Sequence, residues 1–202
     1  MIVVVDYGMG NPSSIANMIH KIGGAASITS DPGEISSASH VILPGVGSFD
    51  NAVLKLHNTG IWDALHESVF TSKAKFLGIC LGMQLLLGGS EEGNLPGLGW
   101  IDGSVRKFKF AEGSRLKIPH MGWNIVNPVS TEGLFGEVTD EIRFYFVHSY
   151  HASCENRADV IADTEYGHQF PSAIGRGNIM GVQFHPEKSH RFGLQLFRNF
   201  LS

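Results

Sequence analysis

Cysteine is scarce in this 202-residue chain, which carries only Cys80 and Cys154. Two thiols so far apart make no disulfide framework and lack metal-ligand spacing, so neither a stapled secreted scaffold nor a zinc module is expected. A reducing, cytoplasmic compartment is the simplest reading. An excess of charge of one sign is also missing. Lys and Arg number 15 against 19 Asp and Glu, a formal net charge of −4, which gives no pull toward nucleic acid or an anionic membrane. The small group Arg106, Lys107 and Lys109 reads as a solvated strand face. Long apolar runs are lacking as well. The first, Met1–Asp6, is short and has no basic flank, so it reads as a strand rather than a signal peptide or membrane span. With no repeat, low-complexity tract or linker, residues 1–202 read as one domain, large enough to need no disulfide or structural metal.

Glycine, by contrast, is abundant, at 25 residues. Many glycines follow short continuous apolar runs, as after Ile2–Val5, His40–Leu43 and Lys75–Ile79. Helical patterns follow these turns. Ser14–Ile22 places Ile15, Met18, Ile19 and Ile22 on one face, with Ser13 or Ser14 as a cap, and Phe49–Leu56 and Ile61–Phe70 also read as helices. Strands without alternation, separated by helices, predict an α/β fold: a three-layer, doubly wound, mostly parallel central sheet covered on both faces. Sites in such sheets form at the carboxyl ends of strands. The second half reads as shorter strands, at 100–110, 124–128, 143–147, 159–164, 172–175 and 179–184, which extend the sheet in mixed or antiparallel fashion. A terminal helix at 192–201 docks through Leu194, Phe197 and Leu201.

The segment richest in chemistry is Gly78-Ile79-Cys80-Leu81-Gly82-Met83-Gln84, with a helical pattern running on to Leu87. A strand leads into Cys80 and a helix leaves it, in the form Gly-x-Cys-x-Gly, parallel to the strained nucleophile elbow of Gly-x-Ser-x-Gly hydrolases. The glycines make room for the crowded turn. The helix start favours thiolate over thiol, and the Leu81 N–H is a natural oxyanion donor. Taken alone, a cysteine beside an apolar strand is as often a small buried residue, which is the reading for Cys154.

A cysteine nucleophile needs a base. His185, in Gly181-Val182-Gln183-Phe184-His185-Pro186-Glu187, ends an apolar run, and Pro186 biases it toward extended backbone. In an extended chain residues i and i+2 point the same way, so Glu187 can hold one imidazole nitrogen while the other faces Cys80. His148 and His151 lie at i and i+3, but no further ligand cluster supports a metal site there, and none is expected. A second junction, Pro44-Gly45-Val46-Gly47-Ser48, is too short for a phosphate loop and lacks its lysine. It reads as a tight turn or as a source of an oxyanion donor, the Val46 N–H. If that peptide must flip before it can serve, basal activity would be low.

Pro44–Gly47, Gly78–Gln84 and Gly181–Glu187, in this order and spread over most of the chain, resemble the class I (triad) glutamine amidotransferases. Asp6–Asn11, Pro119–Asn124 and Val147–Tyr150, together with the chain length, are similar to free-standing glutaminase subunits of imidazole glycerol phosphate synthases, of histidine biosynthesis. The resemblance implies Cys80 as nucleophile, His185 as base and acid, and Glu187 as orienter. It implies oxyanion N–H groups from Val46 and Leu81, and L-glutamine held by Gly47, Gln84, Glu92, Ser149 and Tyr150. It implies no cofactor. It also implies a heterodimer with a (β/α)8-barrel synthase that meets Asn11, Trp123 and Lys188 and receives the ammonia through a channel.

Pro12 departs from the apolar residue more often found there. Lys21–Gly24 and Ile28–Pro32 resemble a branch of the family found with sugar-modifying pathways of the cell surface, which gives an alternative acceptor for the same ammonia. The intact Cys80, His185 and Glu187 argue against a non-catalytic binding subunit. Dependence on a synthase would separate this reading from a peptide hydrolase acting alone.

Overall fold

The computed structural model describes residues 1–130, 132–136 and 141–202. The three apolar runs form β1 (Ile2–Val5), β3 (His40–Leu43) and β4 (Lys75–Ile79), with β2 (Ala26–Thr29) outside β1. Helices α1 (Pro12–Lys21), α2 (Pro32–Ser36), α3 (Phe49–Asn58) and α4 (Ile61–His66) lie between them, and α5 (Leu81–Gln84) follows β4. The later strands are β5 (Gly103–Lys107), β6 (His120–Ile125), β7 (Asn127–Pro128), β8 (Arg143–His148), β9 (Tyr150–Cys154), β10 (Val160–Glu165), β11 (Gln169–Arg176) and β12 (Ile179–Val182), before α6 (His190–Leu201).

The main sheet has the order β2-β1-β3-β4-β12-β11-β10-β7. Pairing is parallel from β2 to β12 and antiparallel from β12 to β7. Both faces of the parallel part are covered, which is why its strands are apolar without alternation. Val3, Val5, Val41, Leu43 and Phe76 join one buried cluster with α2, α3 and α4, while Val4, Ile42 and Leu77 join the other with α1 and α6. The loops after β1, β3, β4 and β12 therefore emerge together along one edge, at the carboxyl ends of the parallel strands.

Several elements differ from the sequence expectation. Helix α1 starts at Pro12, and its cap is Asn11 rather than Ser13 or Ser14, with the Asn11 Oδ1 accepting from the Ser14 N–H at 3.1 Å. Proline suits that first position because its missing N–H would have no helical partner. The helix expected over 61–70 is α4 followed by a π-turn, Glu67–Thr71. The expected strand at 100–110 shortens to β5 and pairs with β9, an element the pattern did not mark, in a ribbon of its own. The strand at 124–128 divides into β6, paired with β8 in a second ribbon, and β7 on the main sheet. Among the described residues β11, β10 and β7 extend the sheet beyond β12 in antiparallel fashion. Helix α6 docks through Leu196, Phe197 and Phe200, while Leu194 and Leu201 are only partly buried. Among the described residues no helix is long and apolar enough to cross a membrane.

Phe144 of β8 is fully buried and stacks on Phe184, with ring centroids 3.8 Å apart, which joins the second ribbon to the main sheet. Phe144→Ala is expected to lower stability by about 3–5 kcal/mol, read by urea denaturation.

Candidate active site

Strand β4 delivers Cys80 into a backbone conformation of φ 56° and ψ −107°. Positive φ in a residue with a Cβ is strained, and surrounding structure must hold it. The hold comes from contacts that only glycine allows. A Cβ on Gly82 would lie 2.0 Å from the Leu43 carbonyl oxygen, and one on Gly78 would lie 2.4 Å from the Gly82 carbonyl oxygen. The Cys80 N–H donates to the Val182 carbonyl at 2.8 Å, while its own carbonyl accepts from the Met83 and Gln84 N–H groups. The helix after Cys80 is shorter than the pattern to Leu87 predicts. α5 has four residues and passes into turns, so its dipole is a minor aid to a thiolate.

His185 is buried, and its Nδ1 lies 2.8 Å from the Glu187 carboxylate. Strand β12 ends at Val182, three residues before His185, which is held instead by its N–H donating to the Tyr145 carbonyl and its carbonyl accepting from the Ser189 hydroxyl at 2.6 Å. The extended-chain argument for Glu187 also changes. His185 is extended, but Pro186–Lys188 is a 3-10 turn, and this turn brings the carboxylate onto Nδ1. The other ring nitrogen, Nε2, is buried with no hydrogen-bond partner, and Cys80 bears electrostatically on the ring. The Cys80 sulfur accepts from the Gln183 Nε2 at 3.7 Å.

A cavity of about 350 Å³ opens over Cys80 and gathers Gly47, Gln84, Glu92, Ser149 and Tyr150, with Val46 and Leu81 at its wall. One Glu92 oxygen accepts from the Phe49 N–H at the start of α3, at 2.9 Å. The buried Gln84 amide donates to the Tyr150 carbonyl at 3.0 Å and to Gln183 Oε1 at 3.1 Å.

The two expected oxyanion donors are not both free. The Leu81 N–H donates to the Gly45 carbonyl at 3.3 Å. That carbonyl shares a peptide unit with the Val46 N–H, and the two groups of a trans peptide point in opposite directions. In this conformation Leu81 is engaged and Val46 is turned away from it.

Of the residues expected to meet a partner, Asn11 and Lys188 line a second cavity of about 180 Å³ beside His185 and Glu187. Trp123 is half exposed and stacks on His190 at 5.7 Å. Trp123 also meets the Tyr145 ring edge-on, and the Lys188 ammonium lies 5.6 Å from that ring, so the two share one aromatic neighbour.

Sequence reasoning gave no role to Gln183, Tyr7 or His120. Gln183 lies inside a motif already singled out. Tyr7 is buried, its hydroxyl has no hydrogen-bond partner, and burial followed by the nearby Cys80 raises its pKa. His148 and His151 face different partners: His148 pairs with His120, and His151 with His168. Among the described residues no group of three or more His, Cys, Asp or Glu side chains is placed to hold a metal ion.

The family model for Glutamine amidotransferase class-I matches residues 3–202. The chain belongs to the class-I glutamine amidotransferases. It is 51% identical over 201 residues to the imidazole glycerol phosphate synthase subunit HisH 2 of Methanococcus maripaludis, covering 100% of this chain and 98% of that one. It is 44% identical to the HisH 2 subunit of Pseudomonas aeruginosa, with coverage of 100% and 98%. With the HisH subunit of Leptospira interrogans it shares 45% identity over the full length of both. Solved structures agree on the fold. A crystal structure of a glutamine amidotransferase superposes with a TM-score of 0.74 at 19% identity, covering 100% of this chain and 97% of that one. PurLQS from Thermotoga maritima gives 0.72 at 17% identity, covering 99% and 96%.

In this amidotransferase the His185 ring is pulled two ways. Burial lowers its pKa, but the Cys80 sulfur and the Glu187 carboxylate outweigh burial and raise it to about 10. A folded pKa above the unfolded value of about 6.5 gives stability that is fully present below pH ~6.5 and lost as pH rises through about 10. Glu187→Gln should therefore lower the His185 pKa in an NMR titration. The stability gap between wild type and variant should be widest near pH 6 and close toward pH 10 in urea unfolding. An unmoved His185 titration would show that the carboxylate does not hold the charge.

Proposed function

We propose that this chain, 1–202, is a single glutaminase domain that hydrolyses L-glutamine to glutamate and ammonia through a thioester on Cys80. The ammonia passes to a (β/α)8-barrel synthase subunit that makes imidazole glycerol phosphate, in the cytoplasmic histidine pathway. The observation that carries the chemistry is a strained cysteine at the floor of a pocket, beside a buried histidine whose far nitrogen is paired with a carboxylate. Full-length relatives named as imidazole glycerol phosphate synthase subunits support the pathway.

His185 takes the Cys80 proton, and the Glu187 carboxylate on the far ring nitrogen favours the charged ring that results. The thiolate then attacks the glutamine side-chain carbonyl. The C–N bond breaks as His185 gives its proton to the departing nitrogen, and ammonia leaves. A γ-glutamyl thioester stays on Cys80. Water attacks it, His185 takes the water's proton, and the C–S bond breaks to release glutamate and thiolate. Glu92 receives the substrate's ammonium group, while Gly47, Gln84 and the main chain of Ser149 and Tyr150 enclose the rest.

The tetrahedral oxyanion needs donors. Rotation of the Gly45–Val46 peptide would release the Leu81 N–H and turn the Val46 N–H inward. The occupied Leu81 N–H supports low activity until that rotation occurs. Asn11, Trp123 and Lys188 form the synthase-facing surface, beside the cavity next to His185 through which ammonia leaves.

The sugar-modifying alternative is not favoured. The full-length relatives, at 44–51% identity, are named as imidazole glycerol phosphate synthase subunits. Glutamine hydrolysis is expected to be slow alone and to rise when the barrel synthase and its ligand are added, and Cys80→Ala should abolish it in both conditions. Undiminished turnover in Cys80→Ala, measured as glutamate released, would end this reading.

A further inference from the structure

At the wall of the pocket, where His148 lines the cavity beside Ser149 and Tyr150, two buried histidines touch. His120 Nδ1 lies 2.9 Å from His148 Nε2, and both side chains are buried. The proton positions follow from the partners. His148 Nδ1 lies 2.8 Å from the Tyr150 carbonyl, which only accepts, so His148 Nδ1 carries the hydrogen. Burial, with the neighbouring His120, His151 and His185 acting in the same direction, lowers the His148 pKa to about 3 against the hydrogen bond to Tyr150, and burial lowers that of His120 to about 4. Both rings are neutral at pH 7. His148 Nε2 is then bare and accepts from His120 Nδ1–H. His120 Nε2 is bare in turn and accepts from the Asn124 side-chain amide at 3.2 Å.

Asn124 leaves no ambiguity about its own orientation. Its Nδ2 also donates to the Glu165 carbonyl at 2.9 Å, and its Oδ1 accepts from the Ile125 N–H at 2.8 Å. Each bond therefore runs in one direction, from Asn124 through His120 and His148 to the Tyr150 carbonyl. The same carbonyl accepts from Gln84, which donates to Gln183, which donates to the Cys80 sulfur. The His120 ring is clamped between Phe146 and Tyr166, with centroids at 4.7 Å and 4.0 Å. Strand alternation puts His120 and Asn124 on one face of β6, while Met121 and Trp123 stand exposed on the other.

We propose that His148 and His120 are positioning residues for the pocket: a directed pair of imidazoles that holds the Tyr150 carbonyl, and with it the Ser149–Tyr150 main chain, in the orientation that receives glutamine. The pair ties that main chain to β6, the strand whose outer face carries Trp123. The identity of the ligand rests on the glutaminase reading; the proton arrangement does not.

Two measurements test this. The first reads nitrogen–proton correlations of ¹⁵N-histidine-labelled wild-type protein at pH 7. Both rings are expected as the Nδ1–H tautomer, and an Nε2–H tautomer on either ring overturns the directed pair whether or not the chain turns over glutamine. The second compares His148→Phe, which keeps a ring but loses the donor, with His148→Asn, whose amide can replace Nδ1–H. Loss of one buried donor is expected to raise the glutamine KM about tenfold in the synthase complex, with kcat changed less than about threefold. His148→Asn should bring KM back to within about threefold of wild type. A lowered melting temperature with KM unchanged in His148→Phe would leave the pair a purely structural role and overturn the proposal. Absence of glutamine turnover in the wild-type complex would instead count against the glutaminase reading.

Discussion

The Leu43 carbonyl, at the end of β3, occupies the place where any side chain on Gly82 would have to begin. The Gly82 carbonyl in turn excludes a side chain on Gly78. This close packing of backbone on backbone forces the chain to turn within one residue, and that residue is Cys80, at φ 56°. A residue strained in this way is stable only where its surroundings over-determine it. Parallel pairing of β4 with both β3 and β12 supplies that constraint and sets the loop carrying Gly45 on one side of the sulfur and His185 on the other.

The rest of the site follows from that placement. With the sulfur fixed at the sheet's carboxyl edge, His185 needs no strand of its own, since a hydrogen bond from Ser189 and one to Tyr145 suffice to hold it. The Gly45 carbonyl is close enough to take the Leu81 N–H, so the packing that shapes the turn at Cys80 also engages the N–H proposed as an oxyanion donor. The polar line from Asn124 to Tyr150 supports the opposite wall of the same pocket from the inner face of β6.

The parallel half of the fold was legible because both faces of its strands are buried, and the bounds of β1, β3 and β4 coincide with the apolar runs that mark them. The two ribbons were not. β9 reads Tyr-His-Ala-Ser-Cys, with no alternation to mark a strand, and β5 and β6 pair with partners far along the chain that local pattern cannot name. Cys80, His185 and Glu187 were legible as candidates because each sits in a local motif. The role of Gln183 was hidden in one of those motifs, and Tyr7 and His120 depend on neighbours brought together only by folding. The state of the oxyanion loop turns on a single peptide's orientation, which no residue type specifies when glycine precedes it.

That Cys80 is the atom on which the chemistry occurs is tested most directly by a glutamine analogue whose side-chain amide is replaced by an electrophilic ketone. Peptide mass analysis after exposure of the synthase complex should find about one label per chain, on Cys80, with Cys154 unlabelled, and excess glutamine should protect it. Equal labelling of both cysteines, or labelling of Cys80 that glutamine does not slow, would contradict the account.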